Sequence, residues 1–286
     1  MRSPAPRIMP WLSNALRRAG VALAISAALA LSACSNPAGG AGQPTPRAAQ
    51  TAPLAPYILS ALRSMPAGGG YAADRAAELR LAQHGITWQG SALRISPTGA
   101  GPTFCSAACY IVLLRALQQW EQNHPPLPRE VFHSLRVEPQ HADGYLSWGR
   151  ANANGPGFAK WVRDLGAGYN FTALHHARPG DFLKFFHTPH IGARERGHLV
   201  IYLGTTQRAG QTYIRYWSAN KPDGYGERTT PLTALHHLIF TRITYPYRLT
   251  QAPHLPPLDP WLNSLLTHPT TWPQTLKQIQ PTTPND

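Results

Sequence analysis

One cysteine lies where a helix is expected to begin. Residues 101–114, "GPTFCSAACYIVLL", place Cys105 after a Gly-Pro break and before a run of small and apolar residues. The unpaired amides and the dipole at a helix N-terminus favour a thiolate, which is the reactive form of a cysteine nucleophile. The amide of Cys105 would then be free to donate to an oxyanion. Cysteine is also a common core residue, and we expect Cys109, one turn further on, to be buried.

His198 is the best candidate for the base that such a nucleophile needs. It follows Gly197 and begins the most apolar of the expected strands, "HLVIYLG", where a polar side chain has no packing role. The end of a strand is also a rigid support for a base. The alternative interpretation is a strand-edge histidine that caps a loop. A metal site built from His187, His190 and His198 would lack the helical i, i+4 pair and the carboxylates typical of such sites, so no metal is predicted.

The strand after His198 supplies a third polar residue. If residues 204–210 close a hairpin, His198 lies opposite residues 217–218, and Asn220 follows just beyond them. A side-chain amide oxygen there can accept the imidazole N–H and fix its tautomer. Because the register of the hairpin is uncertain by a residue or two, Ser218 is the alternative third residue, and Asp223 is a more distant one.

The elements that must position these residues change character along the chain. The first half carries helical patterns over residues 57–65, 72–85, 105–123 and 155–168, with a small strand pair over 86–96. The second half carries aromatic and β-branched runs separated by turn signals, at 180–186, 197–204, 212–219 and 240–249. Helices followed by an antiparallel sheet predict an α+β domain.

The N-terminal region reads as a targeting segment. Residues 1–34 combine an arginine-rich start, a short apolar run and the ending Leu31-Ser32-Ala33-Cys34. This is typical of a secretory signal, and the ending resembles a bacterial lipobox, which implies a lipid on Cys34. Ser35 after the cysteine implies, by the same resemblance, anchoring in the outer membrane facing the periplasm. We further expect a flexible Pro/Gly/Ala tether over 35–56, a catalytic domain over 57–252 and a Pro/Thr-rich tail over 253–286.

The net charge of the chain indicates which classes of binding partner it suits. The sequence has 26 basic and 13 acidic residues, and removing residues 1–34 leaves 22 basic residues against the same 13 acids, a net charge of +9. This balance suits anionic lipid headgroups or wall polymers. Nucleic acid is not predicted, because the chain has no lysine-rich block, zinc-finger spacing or aromatic RNA-binding signature.

The order of these motifs resembles the NlpC/P60 superfamily of papain-like cysteine peptidases and amidases. The matching segments are "FCSAACYIVLLRAL" with "LPRE" after it, "ARPGDFLKFF" for the family's Pro-Gly-Asp strand and "RGHLVIYLG" for its Gly-His strand. The sequence departs from the family at Phe104, where Asp or Asn is usual, at Ala107, where Gly is common, and in a long insert over 133–171.

This resemblance implies a papain-like fold, with the nucleophile helix packed on an antiparallel sheet. It implies Cys105, His198 and Asn220 as the catalytic set, no cofactor, and hydrolysis of an amide bond in peptidoglycan stem peptides. Two other functions stay open: a non-catalytic lipoprotein that binds or assembles the wall, and a transglutaminase- or acyltransferase-like enzyme with the same triad.

Two basic and two amide side chains are candidates for substrate binding. The stretch "WGRANANGPG" contains Arg150, Asn152 and Asn154 in a polar turn that could hold a carboxylate or a peptide backbone. Arg196, close to His198, could bind an anionic stem peptide. The alternatives are a helix cap for the turn and a solvated loop for the arginine.

Overall fold

The computed structural model describes residues 53–90, 92–141 and 143–283. The expected signal peptide, Cys34 and the expected tether as far as residue 52 lie outside these residues. Among the described helices, none has the length and the apolar character needed to cross a lipid bilayer.

The helices lie mainly in the first half of the chain, as predicted. They are α1 Ala55–Arg63, α2 Arg75–Arg80 (continued by a π-helical turn, Leu81–Gly85), α3 Cys105–Glu121, α4 Arg129–Ser134, α5 Leu146–Asn152 and α6 Gly157–Leu165. Helix α3 is central: nearly every residue from Ala107 to Trp120 is buried, and the helix packs against α1 on one side and the sheet on the other. A helix whose apolar residues extend around most of its circumference has to be enclosed in this way.

The sheet has seven strands in the order β1-β9-β8-β7-β5-β10-β4, and every neighbouring pair is antiparallel. Its strands are β1 Gly68–Gly69, β4 Gly168–Phe171, β5 Phe182–Phe186, β7 Gly197–Arg208, β8 Gln211–Asn220, β9 Gly224–Pro231 and β10 His237–Ile243. The predicted small pair is present as β2 Ile86–Gln89 with β3 Ala92–Ile95. Helices on one side and an antiparallel sheet on the other confirm the α+β class.

The β7–β8 hairpin is longer than the sequence indicated. The two strands run on to Arg208 and Gln211, and Ala209 and Gly210 form a two-residue turn with φ of 49° and 75°. Turns with two positive φ values match the twist of a hairpin. Ile201 pairs with Trp217, and continuing this register places Asn220 opposite His198. The sequence predicts residues 217–218 at that place, so the register differs by two to three residues.

The C-terminal segment is folded against the domain, whereas its composition predicted a tail. It forms a 3-10 helix Pro246–His254, then α7 Pro260–Ser264, β11 Pro269–Thr270 and α8 Trp272–Ile279. Strand β11 pairs with β6, Ile191–Gly192. Prolines stand in the first turns of α7 and α8, where their missing N–H has no cost. Leu262, Leu265 and Ile279 are buried, which holds the segment in place.

Candidate active site

Cys105 is the first residue of the buried helix α3. The preceding residue, Phe104, has extended backbone angles (φ −130°, ψ 171°) and provides no side-chain cap. The amides of the first turn therefore remain without a capping partner, and they lie next to a partly exposed thiol. Cys109 is fully buried, and its thiol donates to the carbonyl oxygen of Leu199 at 3.4 Å. Of the two cysteines, only Cys105 lines a cleft.

The surroundings of Cys105 favour its thiolate. Burial raises the pKa of this thiol, but the charge and the hydrogen bond of His198, the charge of Lys184 and a backbone hydrogen bond from Leu199 outweigh it. Together they lower the pKa of Cys105 from 9.0 to about 6. At neutral pH most of the population is therefore ionised, as a sulfur nucleophile requires.

Asn220 fixes the tautomer of His198. The imidazole Nε2 lies 3.1 Å from the Asn220 side-chain oxygen Oδ1. The orientation of this amide is set by its Nδ2, which donates to the carbonyl oxygens of Ser218 at 3.0 Å and Gly226 at 2.9 Å. Oδ1 must then accept, so Nε2 carries a proton. The other ring nitrogen, Nδ1, is left for the hydrogen bond with Cys105.

The imidazole ring is held by its neighbours on adjacent strands. Phe185 and Tyr216 contact it edge to face, with ring centroids at 5.5 and 5.8 Å. The alternative third residue, Ser218, is buried and donates to the Leu199 carbonyl at 2.9 Å. Asp223 is exposed and pairs with Arg228. The structure thus brings Asn220 to His198 and engages the other two candidates elsewhere.

Tyr71 completes the surroundings of the thiol and was not predicted from the sequence. Burial raises the pKa of its hydroxyl, and the charge and hydrogen bond of Cys105 raise it further, so the hydroxyl stays a donor. Tyr71 follows three glycines with φ of 75°, 87° and 75°, a path that side chains would disfavour. It then forms an isolated parallel bridge with Thr103, two residues before Cys105.

The thiol opens into a cleft of about 500 Å³. Despite the basic composition of the chain, four acidic and two basic side chains line it: Asp74, Glu78, Asp143, Glu195, Arg75 and Lys184. Burial raises the pKa of Asp143 to about 6, and the charge of Glu78 raises it too, against hydrogen bonds from Asn152 and the Asn154 backbone and the charge of Lys184. The cleft wall is therefore rich in carboxylates that lie close together.

The predicted substrate-binding residues divide into two groups. Asn152 and Asn154 line the cleft, and Asn152 also accepts a hydrogen bond from the hydroxyl of Ser106 at 2.6 Å. Arg150 does not fit a substrate role, because it is 3% exposed and forms ion pairs with Asp259 at 3.2 Å and Asp164 at 3.5 Å. Arg196 is exposed and lies outside the lining of the cleft.

Within the residues that the structure describes, His, Cys, Asp and Glu side chains form no group of three or more that could hold a metal ion. Comparison with known proteins adds nothing to these observations: no family model, curated protein or solved structure matches the chain.

Proposed function

We propose that the chain is a cysteine hydrolase that cleaves amide bonds, with a papain-like fold of the NlpC/P60 type. The observation that carries the proposal is the contact series Cys105–His198–Asn220, in which the pKa of the thiol is lowered and the Asn220 amide orients the imidazole. The fold assignment is supported by a nucleophile at the start of a buried helix that packs on an antiparallel sheet. The base and its orienting residue lie on adjacent strands of that sheet.

In the proposed reaction, His198 accepts the thiol proton and Cys105 attacks the substrate carbonyl, forming a C–S bond and a tetrahedral oxyanion. The uncapped amides at the start of α3 and the hydroxyl of Tyr71 can donate to the developing negative charge. His198 then gives its proton to the leaving amine, which breaks the C–N bond. Water then gives a proton to the same imidazole and attacks the acyl carbonyl, forming a C–O bond. The C–S bond breaks, the carboxylic acid leaves, and the sulfur departs as the thiolate.

We propose peptides of the cell wall as the substrate class. This assignment rests on the resemblance of the motifs, and the cleft is compatible with it because its volume of about 500 Å³ is in the range of ligand-binding sites. The excess of carboxylates along the wall of the cleft favours a peptide that carries an ammonium group near the scissile bond. The lipid anchor on Cys34 and the location in the envelope are part of the same proposal.

The test is digestion of purified muropeptides by the full chain, with products identified by mass spectrometry. We expect cleaved peptides from the wild type and none from Cys105→Ala. The matched control is Cys109→Ala, which removes the neighbouring thiol of the same helix and should keep the activity. Products from Cys105→Ala, or none from a folded wild type that still binds the peptides, would contradict the hydrolase proposal. Incorporation of an added amine would identify an acyl transferase instead.

A further inference from the structure

A largely buried ion pair lines the same cleft as Cys105, and the proposed reaction does not use it. Lys184 Nζ is 2.5 Å from the carboxylate oxygen Oε1 of Glu195, and the two side chains are only 14% and 6% exposed. The second oxygen of Glu195, Oε2, accepts from the backbone amides of Gly155 at 2.6 Å and Gly192 at 2.8 Å. Glu195 thereby joins Gly155, within the long insert, to the loop before His198.

The position of Lys184 on the sheet brings its charge to the thiol. Lys184 pairs with Leu199 across β5 and β7, and the backbone of Leu199 is hydrogen-bonded to Cys105. Lys184 and Cys105 both line the cleft. Gly197, the residue before His198, lies against the same ion pair. A Cβ on Gly197 would lie 2.7 Å from both Lys184 Nζ and Glu195 Oε1.

Placing such a pair among aromatic strand residues is costly. Two charges lose their hydration on burial, and apolar residues of similar volume often give equal or greater stability. The side chains that share the face of Lys184 on β5 are Phe182 and Phe186, which are 1% and 0% exposed. A charged pair at this point of the sheet is therefore better explained by an effect on the cleft than by stability.

We propose that Lys184 is a positioning residue, whose positive charge holds Cys105 in its anionic form together with His198, and that Glu195 limits the strength of that charge. This inference rests on the proposed function, in which Cys105 is the nucleophile. Lys184 acts through its electric field and through the β5–β7 pairing, without touching the reacting atoms.

The other ionisable groups around the thiol do not take this role. Lys184 and His198 are the two side chains whose charges lower the pKa of Cys105. The remaining ionisable groups beside the thiol or along the cleft are Tyr71, Cys109, Asp74, Arg75, Glu78 and Asp143. Arg75 is exposed at the rim of the cleft and is engaged by Glu78 at 3.0 Å and by the carbonyl of Pro139.

The experiment measures ionisation of the thiol without any substrate. The folded full chain is alkylated with iodoacetamide across pH 4–10, and mass spectrometry of the peptide containing Cys105 gives the rate at each pH. The wild-type rate should rise with a midpoint near pH 6. Lys184→Met should move the midpoint up by roughly one pH unit, as expected for the loss of a nearby opposite charge. Lys184→Arg should leave it close to the wild-type value.

Glu195→Gln is the most discriminating variant, because it should lower the pH of the alkylation midpoint, whereas Lys184→Met should raise it. The amide still accepts from Gly155 and Gly192, but Lys184 loses its counter-charge and acts more strongly on the thiolate. The matched control is Lys160→Met, which removes a lysine from a buried ion pair with Asp164 and Asp259, outside the cleft. It should lower stability and leave the midpoint in place.

Each outcome bears on one claim. A wild-type midpoint near pH 9 would remove the thiolate on which the proposed function depends. A wild-type midpoint near 6, with Lys184→Met and Glu195→Gln unchanged or displaced in the same direction, would overturn the role of the ion pair and leave the hydrolase proposal standing. Circular dichroism of every variant identifies any that fail to fold, and Lys184→Arg then provides the comparison.

Discussion

The ionised carboxylate of Asp143 should destabilise the folded protein at neutral pH, and replacing Asp143 with a neutral residue should raise the free energy of unfolding. Burial and the charge of Glu78 raise its pKa from 3.8 to about 6 in the folded state. An acid whose pKa is raised by folding stabilises the native state below its unfolded pKa and loses that contribution as the pH rises through the folded value. The change falls between about pH 4 and pH 6. A shift of about two units corresponds to about 3 kcal/mol.

The variant Asp143→Asn isolates this cost. Its side-chain oxygen can still accept from Asn152, which donates to Asp143 Oδ1 at 3.2 Å. We expect the free energy of unfolding of Asp143→Asn to exceed that of the wild type by about 2–3 kcal/mol at pH 8 and to equal it near pH 3.5. Urea denaturation followed by circular dichroism at five or six pH values between these limits gives both curves.

Two further variants separate the local effect from the general loss of an acid. Glu78→Gln removes one cause of the raised pKa, so the gain from Asp143→Asn should be smaller in that background. Glu227→Gln removes a side chain that is 61% exposed, and should change the pH dependence little. Parallel curves for the wild type and Asp143→Asn across the whole pH range would refute the reasoning.

Three other variants test the remaining parts of the site and fold. Asn220→Ala frees the imidazole tautomer, and we expect kcat on a wall peptide to fall by about 10²-fold or more while the melting curve stays cooperative. Tyr71→Phe removes the hydroxyl beside the thiol, so kcat/KM should fall by about tenfold with little change in stability; an unchanged value would exclude Tyr71 from oxyanion stabilisation. Asp259→Ala leaves the buried Lys160 and Arg150 with a missing partner, and should cost about 3–5 kcal/mol by urea denaturation. Burial raises the pKa of Asp259, but Lys160 and Arg150 outweigh this effect and keep the pKa below its usual value. The stability that Asp259 provides should therefore be lost as the pH falls through its folded pKa.

The sequence predicted the elements whose signals are local. The break before Cys105, the apolar run of α3 and the strand that begins at His198 can each be read within a window of about a dozen residues. The predicted hairpin register was wrong by two to three residues. The amino-acid sequence does not reveal that the turn is only Ala209 and Gly210, or that the pairing is irregular between Tyr202 and Gly204.

The parts that were missed depend on contacts between distant segments. Arg150 looked available for substrate because its partner Asp259 lies 109 residues further along the chain. The segment after residue 253 looked like a tail because prolines and threonines dominate its composition. Tyr71 reaches the thiol through a glycine path that has no periodicity to detect. Lys184 did leave a signal, since it is a lone charge within the strand "FLKFF".

Two backbone carbonyls accept hydrogen bonds from the Asn220 side-chain amide, and they determine which residue type can occupy position 220. An aspartate in that place would set its oxygens against the carbonyl oxygens of Ser218 and Gly226, and the lone pairs would repel one another. The hairpin therefore favours a neutral partner for His198, so the imidazole is oriented by an amide and not by a carboxylate. Once the sulfur has formed its C–S bond in the proposed reaction, the three residues hold no anion that would retain the ring proton, which can pass to the departing amine at the step where it is needed.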